Sequence, residues 1–239
     1  MFIDKFICVF LFFGIKIFGQ EFLPKSDGEI IKHKYYTLSY NEDHEQANWV
    51  HYKLDSRFLK GTSPRINSFK PDPKVSTKSA ESSDYRGSGY DRGHLAPAGD
   101  MKYNRVSMSE SFYMSNMSPQ VPSFNREIWR DLEELIRIWG KKFQIYITTA
   151  GVLNNENFGS IGKNKVTIPS KYYKVIYSPK NRSMIGFLMP NLGSSSELES
   201  FVVSVDSIES VTGIDFFHEL PDRIENELES EVNLEDWKW

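Results

Sequence analysis

Residues 90–101 read YDRGHLAPAGDM. His94 stands there between the Asp91-Arg92 pair and Pro97, and proline removes a backbone donor and forbids a long helix. Gly93 lets the backbone turn or approach another group closely, so the spacing predicts that His94 lies on a short strand or at a strand end. A neutral imidazole, with an unperturbed pKa of about 6.5, can take a proton near pH 7. Asp91 and Arg92 add an orienting carboxylate and a fixed positive charge, a set suited to hydrolysis of a charged ester. Taken alone, the tetrapeptide is better explained as a satisfied histidine beside a structural Asp-Arg ion pair, so the decision falls on the rest of the chain.

Upstream, residues 61–89 are rich in Ser, Pro and Gly and read as a long ordered loop or a flap, placed to shape whatever site follows. Before that, residues 29–54 hold two apolar, aromatic-rich runs around the polar turn Asn41 to Gln46, which fits two strands or a strand and a short turn element. His33, His44 and His51 are scattered across them and read as packing or surface residues rather than ligands. Downstream, residues 111–118 look extended and end at Pro119. From Phe124 to Trp139, Ile128, Trp129, Leu132, Leu135, Ile136 and Trp139 recur at helical spacing, with Gly140 as the stop. The runs 144–152, 165–178 and 183–191 are short, β-branched or aromatic, and read as strands. Short helices are expected near 205–211 and 221–231. One α+β domain over residues 21–239, with a mixed or antiparallel central sheet flanked by helices, is the economical reading.

The first 20 residues read as a secretory signal peptide: Lys5, then an apolar run from Phe6 to Ile15, too short for the roughly 20 residues that span a bilayer. An uncleaved anchor is the competing reading. The expected location is secreted or periplasmic, with no stable membrane association after cleavage. Cys8, the single cysteine, lies inside this segment, which excludes a disulfide framework or a cysteine metal site from the mature chain.

The net charge of −3 argues against a nucleic-acid partner, but its distribution does not. Residues 53–105 carry eleven Lys and Arg against six Asp and Glu, whereas residues 196–239 carry two against thirteen. A basic segment around His94 attracts a polyanion, and an acidic tail keeps the protein soluble. Both also fit ordinary solvated faces.

Asn125 opens the predicted helix, and Glu133 lies eight positions on, about 80° around at 100° per residue. An amide oxygen and a nearby carboxylate are hard donors suited to a hydrated Mg²⁺. The competing role for Asn125 is a helix N-cap; Glu133 alone would be a surface carboxylate and Gln120 a turn residue.

Together, Asp91-Arg92-Gly93-His94 with Leu95 to Asp100, then Ser115-Asn116, Pro119-Gln120, Asn125, Trp129 and Leu132-Glu133 in order, resemble the sugar-nonspecific DNA/RNA endonucleases that include the Serratia-type nuclease and mitochondrial endonuclease G. The likeness continues through TTAGV (148–152), IPSKYYKVI (168–176), GFLMPN (186–191) and TGIDFFHELPD (212–222). It implies a ββα-metal, or His-Me finger, site. There His94 is the general base, Asn125 the sole direct protein ligand of hydrated Mg²⁺ (Mn²⁺ or another divalent ion as substitute), and Glu133 orients a metal-bound water. Arg92 stabilises phosphate charge, and the family's distal arginine maps to Arg65. Asn116 and Gln120 support the site, while Asp91 and Gly93 brace the turn rather than react. The resemblance further implies cleavage of DNA and RNA with little base preference and 5′-phosphate ends; it leaves open a homodimer and an inhibitor protein. The alternatives are a phosphodiesterase of another substrate class and a non-catalytic nucleic-acid-binding protein of the same fold.

Overall fold

The structure, a computed structural model, describes residues 21–154, 156–237 and 239. The expected signal segment and Cys8 lie outside the described residues.

Seven strands form one antiparallel sheet. They are β1 (Glu29–Lys32), β2 (Thr37–Asn41), β3 (Gln46–Leu54), β6 (Ile145–Gly151), β9 (Lys171–Ser178), β10 (Ser183–Pro190) and β11 (Val202–Val203), hydrogen-bonded in that order. β4 (Asp91–His94) and β5 (Met117–Gln120) pair as a separate antiparallel ribbon, and β7 (Ser160–Ile161) with β8 (Val166–Thr167) makes a third, very short one. The helices are α1 (Ser56–Leu59), α2 (Arg105–Glu110), α3 (Trp129–Lys142), α4 (Val205–Thr212) and α5 (Asp222–Ser230).

Directly opposed residues of an antiparallel pair share a face, so register sorts the sheet into two sides. Tyr52 opposes Ile147, and Phe187 opposes Lys174; these strands present Tyr52, Lys174 and Phe187 to α3. The helix answers with a buried stripe of Trp129, Leu132, Leu135, Ile136 and Trp139, at about 1.5–3 kcal/mol for each large apolar side chain removed from water. That burial, rather than intrinsic propensity, holds α3 in place. The other face carries Tyr173 and Tyr177, met by Phe216 and Phe217 at ring separations of 5.6 and 5.2 Å. Gly186 lies on this side, opposite Val175, and a Cβ there would come 2.7 Å from Ile208 Cδ1. The missing side chain is what lets α4 dock.

The expected strands at 144–152 and 183–191 and the helices near 205–211 and 221–231 are present. Four local readings change. Residues 29–54 hold three strands, because His33 N donates to Tyr36 O at 2.9 Å and closes a hairpin that no Gly or Pro announces. The run 165–178 splits into β8 and β9 around Pro169. Residues 114–116 form a 3₁₀ turn, and Pro119 lies inside β5 instead of ending an extended run; a two-stranded ribbon is all edge, where proline is tolerated. Finally, α3 runs through Gly140 to Lys142. A Cβ at Gly140 would sit 3.0 Å from Leu54 Cδ2, so this glycine admits close packing rather than stopping the helix.

The 61–89 segment is an ordered loop. Lys70 N donates to Phe112 O at 3.2 Å and Met114 N to Lys70 O at 2.9 Å. Asp72 accepts from Ser115 Oγ at 2.5 Å and contacts buried His33 Nε2 at 2.7 Å.

Candidate active site

β4, β5 and α3 follow one another as a ribbon and a helix, and the ribbon sets the site. Its register places Asp91 opposite Gln120, Arg92 opposite Pro119, Gly93 opposite Ser118 and His94 opposite Met117. A Cβ at Gly93 would meet Gln120 Oε1 at 2.0 Å, so only glycine lets the buried Gln120 side chain lie across β4. Buried Asn116 then staples the turn after His94. Its Oδ1 accepts from Ala96 N, and its Nδ2 donates to Ala96 O and Ser111 O, all at 2.9 Å.

His94 ends β4 and is buried, 9% exposed. Its ring meets Phe112 edge-on at 4.9 Å and Phe69 at 5.8 Å. Nε2 has no hydrogen-bond partner. Burial, assisted by the nearby Arg65 charge, pulls the imidazole down to about 3, which keeps it neutral. The same two aromatic rings carry the arginines. Arg65 lies over Phe112 at 5.1 Å, steadied by Nε donating to Asn67 Oδ1 at 2.6 Å. Arg92 lies over Phe69 at 4.3 Å, with Nη1 donating to Ser82 Oγ at 2.5 Å. Arg92 also lines a polar pocket of about 240 Å³ with Ser82, Tyr85, Arg86, Tyr90 and Asp91.

Asn125 does not cap the helix. Its backbone N donates to Val121 O at 2.9 Å, inside a π-turn over Phe124–Ile128 that Trp129 N closes onto Phe124 O. The wider turn makes the 100° arithmetic inapplicable there, and π-turns recur at functional positions. Asn125 Nδ2 donates to Asp91 Oδ2 at 2.9 Å, which turns the amide oxygen away from Asp91. Asp91 also takes Arg126 Nε at 2.8 Å and Nη2 at 2.6 Å. Burial works to raise this carboxyl, but the Arg126 and Asn125 hydrogen bonds outweigh it and hold it below its usual range.

Glu133, two turns on, is not a surface carboxylate: its side chain is 14% exposed. Burial raises its pKa against the positive charges of Lys174, Arg137 and Arg65, with Asp100 reinforcing the rise. Arg137 Nη1 lies 4.0 Å from Glu133 Oε2 and donates to Asp100 Oδ1 at 3.0 Å, while Tyr52 donates to Asp100 Oδ2 at 2.9 Å. Lys174 projects from β9 into this cluster. Nζ stands 4.4 Å above the Trp129 ring, 3.3 Å from Thr149 Oγ1 and 3.5 Å from Leu95 O. Burial lowers the ammonium pKa.

The structure therefore gathers His94, Arg65, Arg92, Asp91, Asn125 and Glu133 around one ribbon and one helix, with Gly93, Asn116 and Gln120 as its scaffold. Sequence reasoning missed Asp100, Arg137 and Lys174. Their signals were legible: a lysine inside the apolar strand YYKVI, and an arginine four residues after Glu133 on one helix face. His33, His44 and His51 hold packing positions, each paired within the fold to Asp72, Thr167 or Thr148.

The donor chemistry fits a hard divalent cation: the oxygen of a neutral amide whose nitrogen is held by Asp91, and a largely buried carboxylate, with no soft ligand among them.

Residues 14–223 match the family model for DNA/RNA non-specific endonuclease. Nuclease C1 of Cunninghamella echinulata var. echinulata is 36% identical over 216 residues, covering 82% of this chain and 86% of that protein. The mitochondrial nuclease EXOG of Danio rerio is 35% identical over 221 residues; the match covers 84% of this chain but 64% of that protein. The crystal structure of the EndoG/EndoGI complex, on the mechanism of EndoG inhibition, superimposes with a TM-score of 0.75 at 29% identity, covering 82% of this chain and 88% of that one. These likenesses overturn the expected secreted or periplasmic location. Relatives from Danio rerio, Caenorhabditis elegans and Homo sapiens are mitochondrial, beside nucleases from Nostoc and Cunninghamella, so secretion is not established by this likeness.

Proposed function

Because the chain belongs to the DNA/RNA non-specific endonuclease family, we propose that it is a Mg²⁺-dependent endonuclease that hydrolyses phosphodiester bonds of DNA and RNA with little sequence preference. Residues 21–239 form the endonuclease domain in this reading. One observation carries it: Asp91 and His94 are the two ends of one four-residue strand, and Asp91 holds the Asn125 amide at 2.9 Å while His94 presents an unpartnered Nε2. Base and cation ligand are thus set by a single rigid piece of backbone.

His94, kept neutral by burial, takes the proton from the attacking water; a positioned base of this kind is worth typically ~10²–10⁴-fold. Asn125 would be the direct protein ligand of the cation, and Glu133 would offer a second oxygen donor beside it. The bound Mg²⁺ supplies charge beside the scissile phosphate and a template for water. Arg92 and Arg65, each seated on an aromatic ring that also touches His94, offset the negative charge that grows on the phosphate oxygens. Arg86 and Arg92 in the adjoining polar pocket suit a sugar-phosphate backbone rather than base edges. An inhibitor protein is a further partner under this reading, since one solved relative is an EndoG/EndoGI complex.

The test is one gel. Purified protein is incubated with supercoiled DNA and with RNA, with and without EDTA, beside His94→Ala and Asn125→Ala. Cutting is expected only in the unsubstituted protein without EDTA; wild-type cleavage by His94→Ala would falsify the mechanism.

A further inference from the structure

The acidic C-terminal region holds a side-chain cluster that the proposed phosphodiester cleavage does not use. On the sheet face opposite Lys174 and α3, the docking of α5 against α4 gathers three carboxylates. Asp206 and Glu209 are three residues apart on α4 and share a side; Glu229 is the penultimate residue of α5. One carboxylate oxygen from each lies within 4.8 Å of the others. Glu229 is 4% exposed, and its Oε1 has no hydrogen-bond partner.

The cluster is held by backbone. Glu209 Oε1 accepts from Phe216 N at 2.9 Å, and Glu229 accepts from the backbone N–H of Phe217. Two adjacent amides therefore fix two carboxylates side by side. The other ionisable groups that face them, Asp215, Asp206 and Glu225, are also acidic, and Lys25 is engaged with Asp215 at 2.5 Å. Glu229 also sits in the last turn of α5, where no basic residue compensates, at the negative end of the helix dipole. Burial, reinforced by Glu209 and Glu225, lifts Glu229 to about 8. A buried, unpaired oxygen among like charges is costly unless something positive completes it.

We propose that Asp206, Glu209 and Glu229 form a second divalent-cation site, of the Ca²⁺ class, separate from Asn125. Ca²⁺ accepts carboxylates and waters in loose geometry, and Asp206 is exposed, which leaves room for water on the solvent side. Bound there, the cation ties α4 to α5 and steadies the cover of this sheet face.

The site is tested with Ca²⁺ alone, titrated calorimetrically at pH 8 into the full chain carrying Asn125→Ala so that the catalytic ligand is absent. One equivalent is expected to bind and to raise the thermal midpoint. Adding Asp206→Asn or Glu209→Gln should weaken binding at least tenfold and abolish that rise. Asp206→Asn is exposed and preserves the core, and on its own it should leave DNA cleavage unchanged. Absence of both heat and midpoint change in the Asn125→Ala protein overturns the proposal, as a cluster holding only a proton would give. So does Ca²⁺ binding undiminished in both added variants.

Discussion

Asn125 Nδ2 lies 2.9 Å from Asp91 Oδ2, so the aspartate that first looks like a companion of His94 is instead the partner of the residue expected to bind the cation. A ligand whose amide is oriented by a carboxylate loses affinity when that carboxylate goes, typically about 10- to 100-fold. Asp91→Ala is expected to raise the Mg²⁺ concentration needed for half-maximal cleavage by that order, with much of the rate recovered at high Mg²⁺. An unchanged Mg²⁺ dependence would remove Asp91 from this role.

Gly93 and Gln120 should behave as one unit. A Cβ on residue 93 would stand within 2.5 Å of Gln120 Oε1, Cδ and Cγ alike, so Gly93→Ala is expected to destabilise by about 1–3 kcal/mol, the usual range for overpacking. Gln120→Ala removes all three atoms, so the double variant should recover most of the loss in a urea-unfolding cycle. Simple additivity of the two single changes would refute the steric account.

Lys174 is expected to matter through Glu133. It opposes the rise that burial imposes on that carboxyl; without it Glu133 becomes still harder to ionise, so the acid limb of kcat/KM moves to higher pH. Lys174→Met should therefore be least active at and below neutrality and regain rate in alkaline buffer. A pH profile parallel to that of the unsubstituted protein would show a purely structural lysine.

Acid sensitivity should come in part from His51. It is buried between Thr148 Oγ1 at 2.8 Å and Glu21 O at 3.0 Å, and burial pulls it down to about 4. Its unfolded pKa is about 6.5, so between about pH 6.5 and 4 the unfolded chain binds the proton that the folded one refuses, and stability falls as pH drops. At about 1.4 kcal/mol per unit, the loss amounts to at most about 3.5 kcal/mol. His51→Gln should flatten the decline in melting temperature between about pH 7 and 4.5; an unaltered slope would assign it to other groups.

Much of this was legible from residues alone. The stripe from Ile128 to Trp139 announces α3 because helical packing imposes its own period. The DRGH segment announces a strand end because glycine and the nearby proline leave few alternatives. The first hairpin was not legible: His33 to Tyr36 turn without glycine or proline, held by a backbone bond that only the fold supplies. Nor was the extent of α3, since Gly140 reads as a stop and is in fact a contact with Leu54.

For the site, sequence by itself determined the chemical inventory: a histidine, two arginines, an amide and a carboxylate in a fixed order, and a basic segment to meet a polyanion. Such choices are local, written in residue type and spacing. Only the tertiary structure decided which carboxylate serves which partner. Asp91 and Asn125 are 34 residues apart, and Lys174 reaches Leu95, beside His94, from 79 residues away. Hydrogen bonds and burial act through distance in space, and pairing at these separations is set by sheet register and helix docking that no local pattern encodes.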